Sequence, residues 1–193
     1  MNNDLKYNLL IVLISIIINF ILAFIVLFSN IPFLFMDSVG TILSAVILGP
    51  VYGAMVGIIS NIMISFMSDS HLYFSIINAF IGLIVGLIAK KFKFNIISAI
   101  IVGLIIGVIS PIMGAPISVI LTEGFSGGTI DNFVTSLVDK GINIIEASFI
   151  ARIFSNIFDK VLSSIIVYIL LKKVHFFNKY LNIENNTQLK AEK

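Results

Sequence analysis

Glu146, Arg152, Asp159 and Lys160 crowd a stretch of chain that is otherwise hydrocarbon, with Asn156 among them. Arg152, Asn156, Asp159 and Ser163 follow the spacing i, i+4, i+7, i+11 and so share one face of a helix. Residues of these types recognise ligands more readily than they transform them. A guanidinium beside a carboxamide suits a carboxylate or a ring carbonyl, and Glu146, near the outer mouth of the same segment, suits an amine or a ring N–H. Asn61 and Asn78 bring polar tips from earlier segments, and Tyr73, Phe125 and Phe149 offer aromatic faces that can stack on a flat ligand. His71 stands alone in a loop, at the rim of such a pocket or in plain solvent. The expected substrate-binding set is therefore Glu146, Arg152, Asn156, Asn78, Asn61, Tyr73, Phe125 and Phe149.

Reactive chemistry has little to work with. There are no cysteines and only 2 histidines, so no thiolate nucleophile, no disulfide and no three-histidine metal centre can form. No phosphate-binding G-x-x-x-x-G-K-S/T loop, H-E-x-x-H helix or G-x-S-x-G elbow occurs. No metal, cofactor or catalytic residue is expected, and a net charge of +2 is too weak for nucleic acid.

The elements that carry these residues are set by composition. Of 193 residues 59% are hydrophobic and 11% charged, against about 25% charged in a typical soluble domain. A globule of this size cannot hide so much apolar surface from water, and disorder requires the opposite composition. A helix needs about 20 apolar residues to cross a bilayer. Six apolar segments fit or approach that length, at residues 5–28, 36–48, 51–67, 72–89, 94–121 and 142–171. The expected fold is all-α, a polytopic bundle of six transmembrane helices in one domain (1–181), followed by a polar cytoplasmic tail (182–193) without fixed structure. The first segment lacks a signal-peptide cleavage pattern and is expected to stay. Pro111 and Pro116 should kink the fifth. Residues 122–141, rich in glycine, contain a short amphipathic stretch that could roof an outward pocket.

With the N-terminus in the cytoplasm, Lys6, Lys90, Lys91, Lys93, Lys172, Lys173 and Lys179 all fall inside. Asp37, Asp69, Glu123, Asp131 and Asp139 then face outward, with Lys140 their only basic neighbour, in keeping with the positive-inside rule. At 1.5 Å per residue back from Lys172, Asp159 and Lys160 lie near mid-depth and Arg152 near the outer edge of the hydrocarbon. An ionisable group at such depth costs at least ~2.5–3.5 kcal/mol, so each needs a partner or a task. Asp159 and Lys160 are too deep for an outer pocket and read as a buried pair that fixes helix register.

Glycines recur every fourth residue at Gly49, Gly53 and Gly57, at Gly82 and Gly86, and at Gly103 and Gly107. That spacing lets helix backbones approach closely within a bundle. On the first segment Ser15, Asn19 and Ala23 form a comparable stripe, with few expected neighbours inside the chain.

The run Met36-Asp37-Ser38-Val39-Gly40-Thr41, then Leu48-Gly49-Pro50-Val51-Tyr52-Gly53-Ala54-Met55-Val56-Gly57 and Asn61, resembles the substrate-binding S component of energy-coupling factor (ECF) transporters. The likeness extends to length, the run from Asn78 to Gly86 and the Asp159-Lys160 pair. It implies high-affinity capture of a small micronutrient (a vitamin, a vitamin precursor or a nucleobase-like heterocycle) outside the cell membrane. A separate transmembrane coupling subunit and two cytoplasmic ATPase subunits would then move it inward, which suits the missing phosphate loop. The resemblance further implies a ligand in the outer half, beneath the loops at 30–36, 68–71 and 122–141. It places coupling-subunit docking on the first helix at Ser15, Asn19 and Ala23, where Asn19 departs from the family's alanine-x-x-x-alanine pattern. Delivery would follow from toppling of the bundle, for which a charge-poor exterior is needed. Two other readings stand beside this one: a structural or assembly subunit of another membrane complex, and an intramembrane enzyme using Asp159 as an acid or base.

Overall fold

A computed structural model describes residues 3–31, 33–68, 70–125 and 130–177. Pro32, Asp69, the central glycines of the expected roof and the polar tail lie outside the described residues. Within them the chain is helical, without strands: α1 (Asn3–Ser29), α2 (Val39–Leu48), α3 (Pro50–Ser65), α4 (Ser70–Tyr73), α5 (Ser75–Lys91), α6 (Ile96–Thr122), α7 (Ile130–Val138) and α8 (Ile144–Lys173).

Four stretches are long and apolar enough to cross a membrane: Leu5–Ser29, His71–Lys91, Ile96–Thr122 and Ile144–Lys173. The other two apolar helices are shorter than the six-span expectation requires. α2, with 10 residues, is about 15 Å long and α3, with 16, about 24 Å, below the ~30 Å of a hydrocarbon core. The reason for the short α2 is that residues 31 and 33–38 are not helical. Gly49 then turns the chain from α2 into α3 at φ +93°, a left-handed conformation that favours glycine, and Pro50 starts α3 where a missing N–H costs nothing. α6 runs on through Pro111 and Pro116, and stops where Glu123 and Gly124 both turn left-handed. α8 starts at Asn143, whose side chain accepts from the Glu146 N–H.

Polarity is arranged for lipid. Leu9, Leu13, Ile17, Ile21 and Phe24 of α1 point outward, while Ser15, Asn19, Asn61, Asn78, Arg152 and Asp159 are buried. Each glycine stripe is used inside the bundle. A Cβ on Gly82 would run into the backbone of Gly53 and Ala54, one on Gly86 into Pro50, and one on Gly103 into Val161 of α8. α3 and α5 therefore meet backbone to backbone, and α6 is pressed against α8 in the same way.

The stripe of Ser15, Asn19 and Ala23 also faces inward, and all three residues are fully buried. Asn19 Nδ2 donates to Thr41 Oγ1 (3.0 Å) and Ser60 Oγ (3.1 Å), and its Oδ1 accepts from the Gly40 N–H (2.6 Å). A Cβ at Gly40 would overlap the Ser15 carbonyl. This face joins α1 to α2 and α3: the partners that the sequence left unassigned are the chain's own short helices.

Candidate binding cavity

A cavity of about 380 Å³ lies at one end of the bundle, where α1, α3 and α6 finish and α5 and α8 begin. Its volume falls within the ~300–1,000 Å³ range of small-molecule sites. The opposite end holds Lys90, Lys91, Lys172 and Lys173, and the Lys90 side chain rests against Gly49. The cavity is therefore at the lysine-poor end.

Much of its wall is apolar. Val26, Leu27, Ile31 and Leu34 contribute from α1 and the segment after it, Phe74, Ile77 and Ile81 from α5 and its start, and Ile130 from α7. α7 is held over α8 by Ile130 and Val134 packing on Ala147 and Ala151, and Phe33 meets Phe133 edge-on with ring centroids 6.1 Å apart. Polar groups interrupt this wall at Asp37, Asn78, Asn156, Arg152, His71 and Lys160, with Ser68, Ser110 and Asn132 between them.

Arg152 is nearly enclosed. Its Nε donates to Ser148 Oγ (3.1 Å), its Nη2 donates to Ser118 Oγ, and its guanidinium lies 5.6 Å from the centre of the Phe74 ring. Nη1 has no acceptor among the described residues, and no carboxylate there forms an ion pair with it. Asn156, one turn further along α8, donates from Nδ2 to the Arg152 carbonyl (2.9 Å). On α5, Asn78 Nδ2 donates to Asn61 Oδ1 (2.7 Å) and to the Asp37 carbonyl (3.0 Å), and Asn61 Nδ2 donates to the His71 carbonyl (3.1 Å). This leaves Asn78 Oδ1 and His71 Nδ1 buried without hydrogen-bond partners among the described residues. Such atoms are uncommon in folded proteins, because an unmet buried polar atom costs about 1–3 kcal/mol.

Deeper in the wall, Lys160 Nζ contacts Asp159 Oδ2 (2.7 Å), Ser38 Oγ (2.9 Å) and Asp37 Oδ1 (3.0 Å). Asp159 Oδ1 accepts the N–H groups of Phe35 (2.9 Å) and Met36 (2.8 Å). Lys160 thus reaches the cavity from mid-helix, while Asp159 stays behind it, bonded to residues 35 and 36.

Of the residues expected from sequence, Arg152, Asn156 and Asn78 line the cavity, and Asn61 stands behind Asn78 as its support. Glu146, Tyr73, Phe125 and Phe149 do not belong to the lining. Glu146 is exposed in the first turn of α8, where the helix N-terminus favours a carboxylate. Tyr73 points outward while the next residue, Phe74, faces the ligand space. Phe125 is exposed and Phe149 half-buried. Asp37, Phe74, Ser110 and Asn132 are wall residues that the sequence reading passed over as site residues; the pairing of Asp37 with a lysine in an apolar segment was the one available signal. Among the described residues no group of acidic or histidine side chains could hold a metal ion.

Comparison with known families supplies a biological context for this cavity. The family model described as ECF-type riboflavin transporter, S component, matches residues 8–175, which takes in the greater part of α1 and all the later helices. No curated protein and no solved structure matches the chain. With the match covering most of the sequence, the chain belongs to the ECF-type riboflavin transporter S-component family: it is a membrane subunit for uptake of a vitamin-type small molecule, works with an ECF module of coupling and ATPase subunits, and is not an enzyme.

Proposed function

We propose that this chain captures riboflavin, or another ligand carrying the same flavin ring, from outside the cell and holds it in the cavity bounded by α1, α5, α7 and α8. The observation that carries this reading is the mixture of an apolar, phenylalanine-lined wall with unspent donors and acceptors on Arg152, Asn78 and His71. A flavin is a flat apolar ring whose one edge alternates carbonyl acceptors with an imide N–H, attached to a hydroxyl-rich chain. Arg152 with Asn156 suits the carbonyl edge, Asn78 Oδ1 suits the imide N–H, and Phe74 offers a face for stacking.

In this reading the chain crosses the membrane six times, α2 and α3 serving as shortened crossings, and both termini are cytoplasmic. The support is geometric: the cavity lies at the end opposite the lysine-rich ends of α5 and α8. One transmembrane coupling subunit and two ATPase subunits supply the energy, and the bundle reorients as a body to turn the cavity inward.

Titration of the detergent-purified protein with riboflavin, followed by quenching of flavin fluorescence and by thermal stabilisation, tests this reading. Saturable binding is expected, with Arg152→Ala and Asn156→Ala each weakening it about tenfold or more. Absence of quenching and of stabilisation, with native mass spectrometry finding a co-purified molecule that is not a flavin, would overturn it.

A further inference from the structure

The segment joining α1 to α2 forms one wall of the cavity through Phe33, Leu34, Phe35 and Asp37, yet its described residues make few backbone hydrogen bonds with one another. Asn30, Phe33 and Met36 adopt φ values of 49°, 62° and 53°, left-handed conformations that residues with side chains keep only where their surroundings hold them. At Met36 and the residues around it the hold comes from α8. One carboxylate oxygen of Asp159 takes the N–H groups of both Phe35 and Met36, and the other is paired to Lys160. Lys160 in turn ties down Asp37 and Ser38, the residues that follow.

The donor inventory separates two kinds of wall residue. An ammonium has three N–H donors, and those of Lys160 match its three acceptors, Asp159, Asp37 and Ser38. Lys160 lines the cavity but has no donor left for a ligand. Asp159, fully buried, spends both oxygens within the same network. Arg152, by contrast, keeps Nη1 uncommitted.

We propose that Asp159 and Lys160 are positioning residues: they do not read the ligand but clasp residues 35–38 to α8, so that this wall must unclasp for a ligand to enter or leave. The inference rests on the cavity being the ligand site. Opening the wall breaks several charge-assisted hydrogen bonds together, and the clasp therefore sets the rates of ligand exchange more than the affinity.

Asp159→Asn tests this in the full-length protein in detergent, because the amide keeps the shape of the carboxylate but removes its charge and turns an N–H toward Lys160 or toward the Phe35 and Met36 amides. Without ligand, hydrogen exchange in peptides spanning 33–38 is expected to speed up about tenfold or more, while peptides from α3 and α6 keep their wild-type rates. Stopped-flow flavin fluorescence with riboflavin is expected to show association and dissociation both faster by about tenfold, with a much smaller change in Kd. Asp37→Asn, which takes away the charge of only one of the two carboxylates that hold Lys160, is the variant to read if Asp159→Asn does not fold; the same changes are expected in smaller measure. Exchange at 33–38 equal to wild type, exchange raised uniformly along the chain, or unchanged riboflavin rates in a folded variant would each overturn the clasp. If riboflavin fails to bind the wild-type protein, the flavin reading falls, and the exchange measurement still decides whether Asp159 holds the wall.

Discussion

Asn78 gives its amide nitrogen to Asn61, Nδ2 donating to Oδ1 at 2.7 Å, and in doing so leaves its own side-chain oxygen, in the cavity wall, buried and without a partner among the described residues. The bond joins α5 to α3 across a glycine seam, where a Cβ on Gly57 would strike the Asn78 carbonyl. Because Asn61 also holds the His71 carbonyl, one fully buried carboxamide positions two wall residues.

Asn61→Ala should therefore act at a distance. It leaves one of the two amide N–H groups of Asn78 without its acceptor and frees the His71 carbonyl, and it is expected to destabilise the protein by about 1–3 kcal/mol. Riboflavin affinity should fall as well, although Asn61 is not in the cavity lining. Asn78→Ala removes the support and the acceptor together, and should lower affinity further at similar cost to stability. Thermal unfolding and riboflavin titration of the two variants side by side check this ordering.

Phe74 and Tyr73 offer a second contrast. A helical step turns the side chain by about 100°, and here it carries Phe74 to the cavity beside Arg152 while Tyr73 stays outside. Phe74→Ala is expected to weaken riboflavin binding about tenfold through lost stacking and a freed guanidinium. Tyr73→Ala and Glu146→Gln should leave affinity within about twofold, as substitutions at exposed positions usually do. Equilibrium titrations of the three variants test the assignment.

The difference between Tyr73 and Phe74 shows what could be read in advance. Helices long enough to cross a membrane announce themselves by composition, and the i, i+4 relation of Arg152 to Asn156 survives folding because it is internal to one helix. Glycine spacing likewise foretold close helix approach, since that property belongs to the residue itself. What remained hidden depends on partners far away in sequence. Phe33 and Met36 are left-handed in a segment pinned by Asp159, and that segment shortens α2. The inward face of Asn19 became visible only with Thr41 and Ser60 beside it. Glu146 was placed by its charge, whereas its actual position follows from where Asn143 starts α8.

Gly82 is the tightest point of the seam between α3 and α5. Its missing side chain lets the backbone of Gly53 and Ala54 come close enough that a single methyl group would overlap them, and neither helix can retreat without losing its other contacts. Gly82→Ala is expected to cost about 1–3 kcal/mol by overpacking. Thermal unfolding in detergent should show it, with Gly141→Ala as a comparison whose added Cβ meets no neighbouring atom and whose cost arises from its left-handed backbone alone.

Arg152→Lys separates charge from shape. Lysine keeps the positive charge at the wall but cannot reproduce the planar fork that bonds Ser148 with Nε and Ser118 with Nη2 while leaving Nη1 over. The single ammonium must choose among those acceptors and the ligand, and the stack on Phe74 loses its flat partner. If the guanidinium reads ring carbonyls through directed hydrogen bonds, Arg152→Lys should bind riboflavin about tenfold or more weakly, close to Arg152→Ala. If the site needs only a positive charge, affinity should stay within about twofold of wild type and Arg152→Ala alone should fail. Fluorescence titrations at low and high salt distinguish the cases, because a contact based on charge in a solvent-open cavity weakens with ionic strength and a directed, enclosed one changes little.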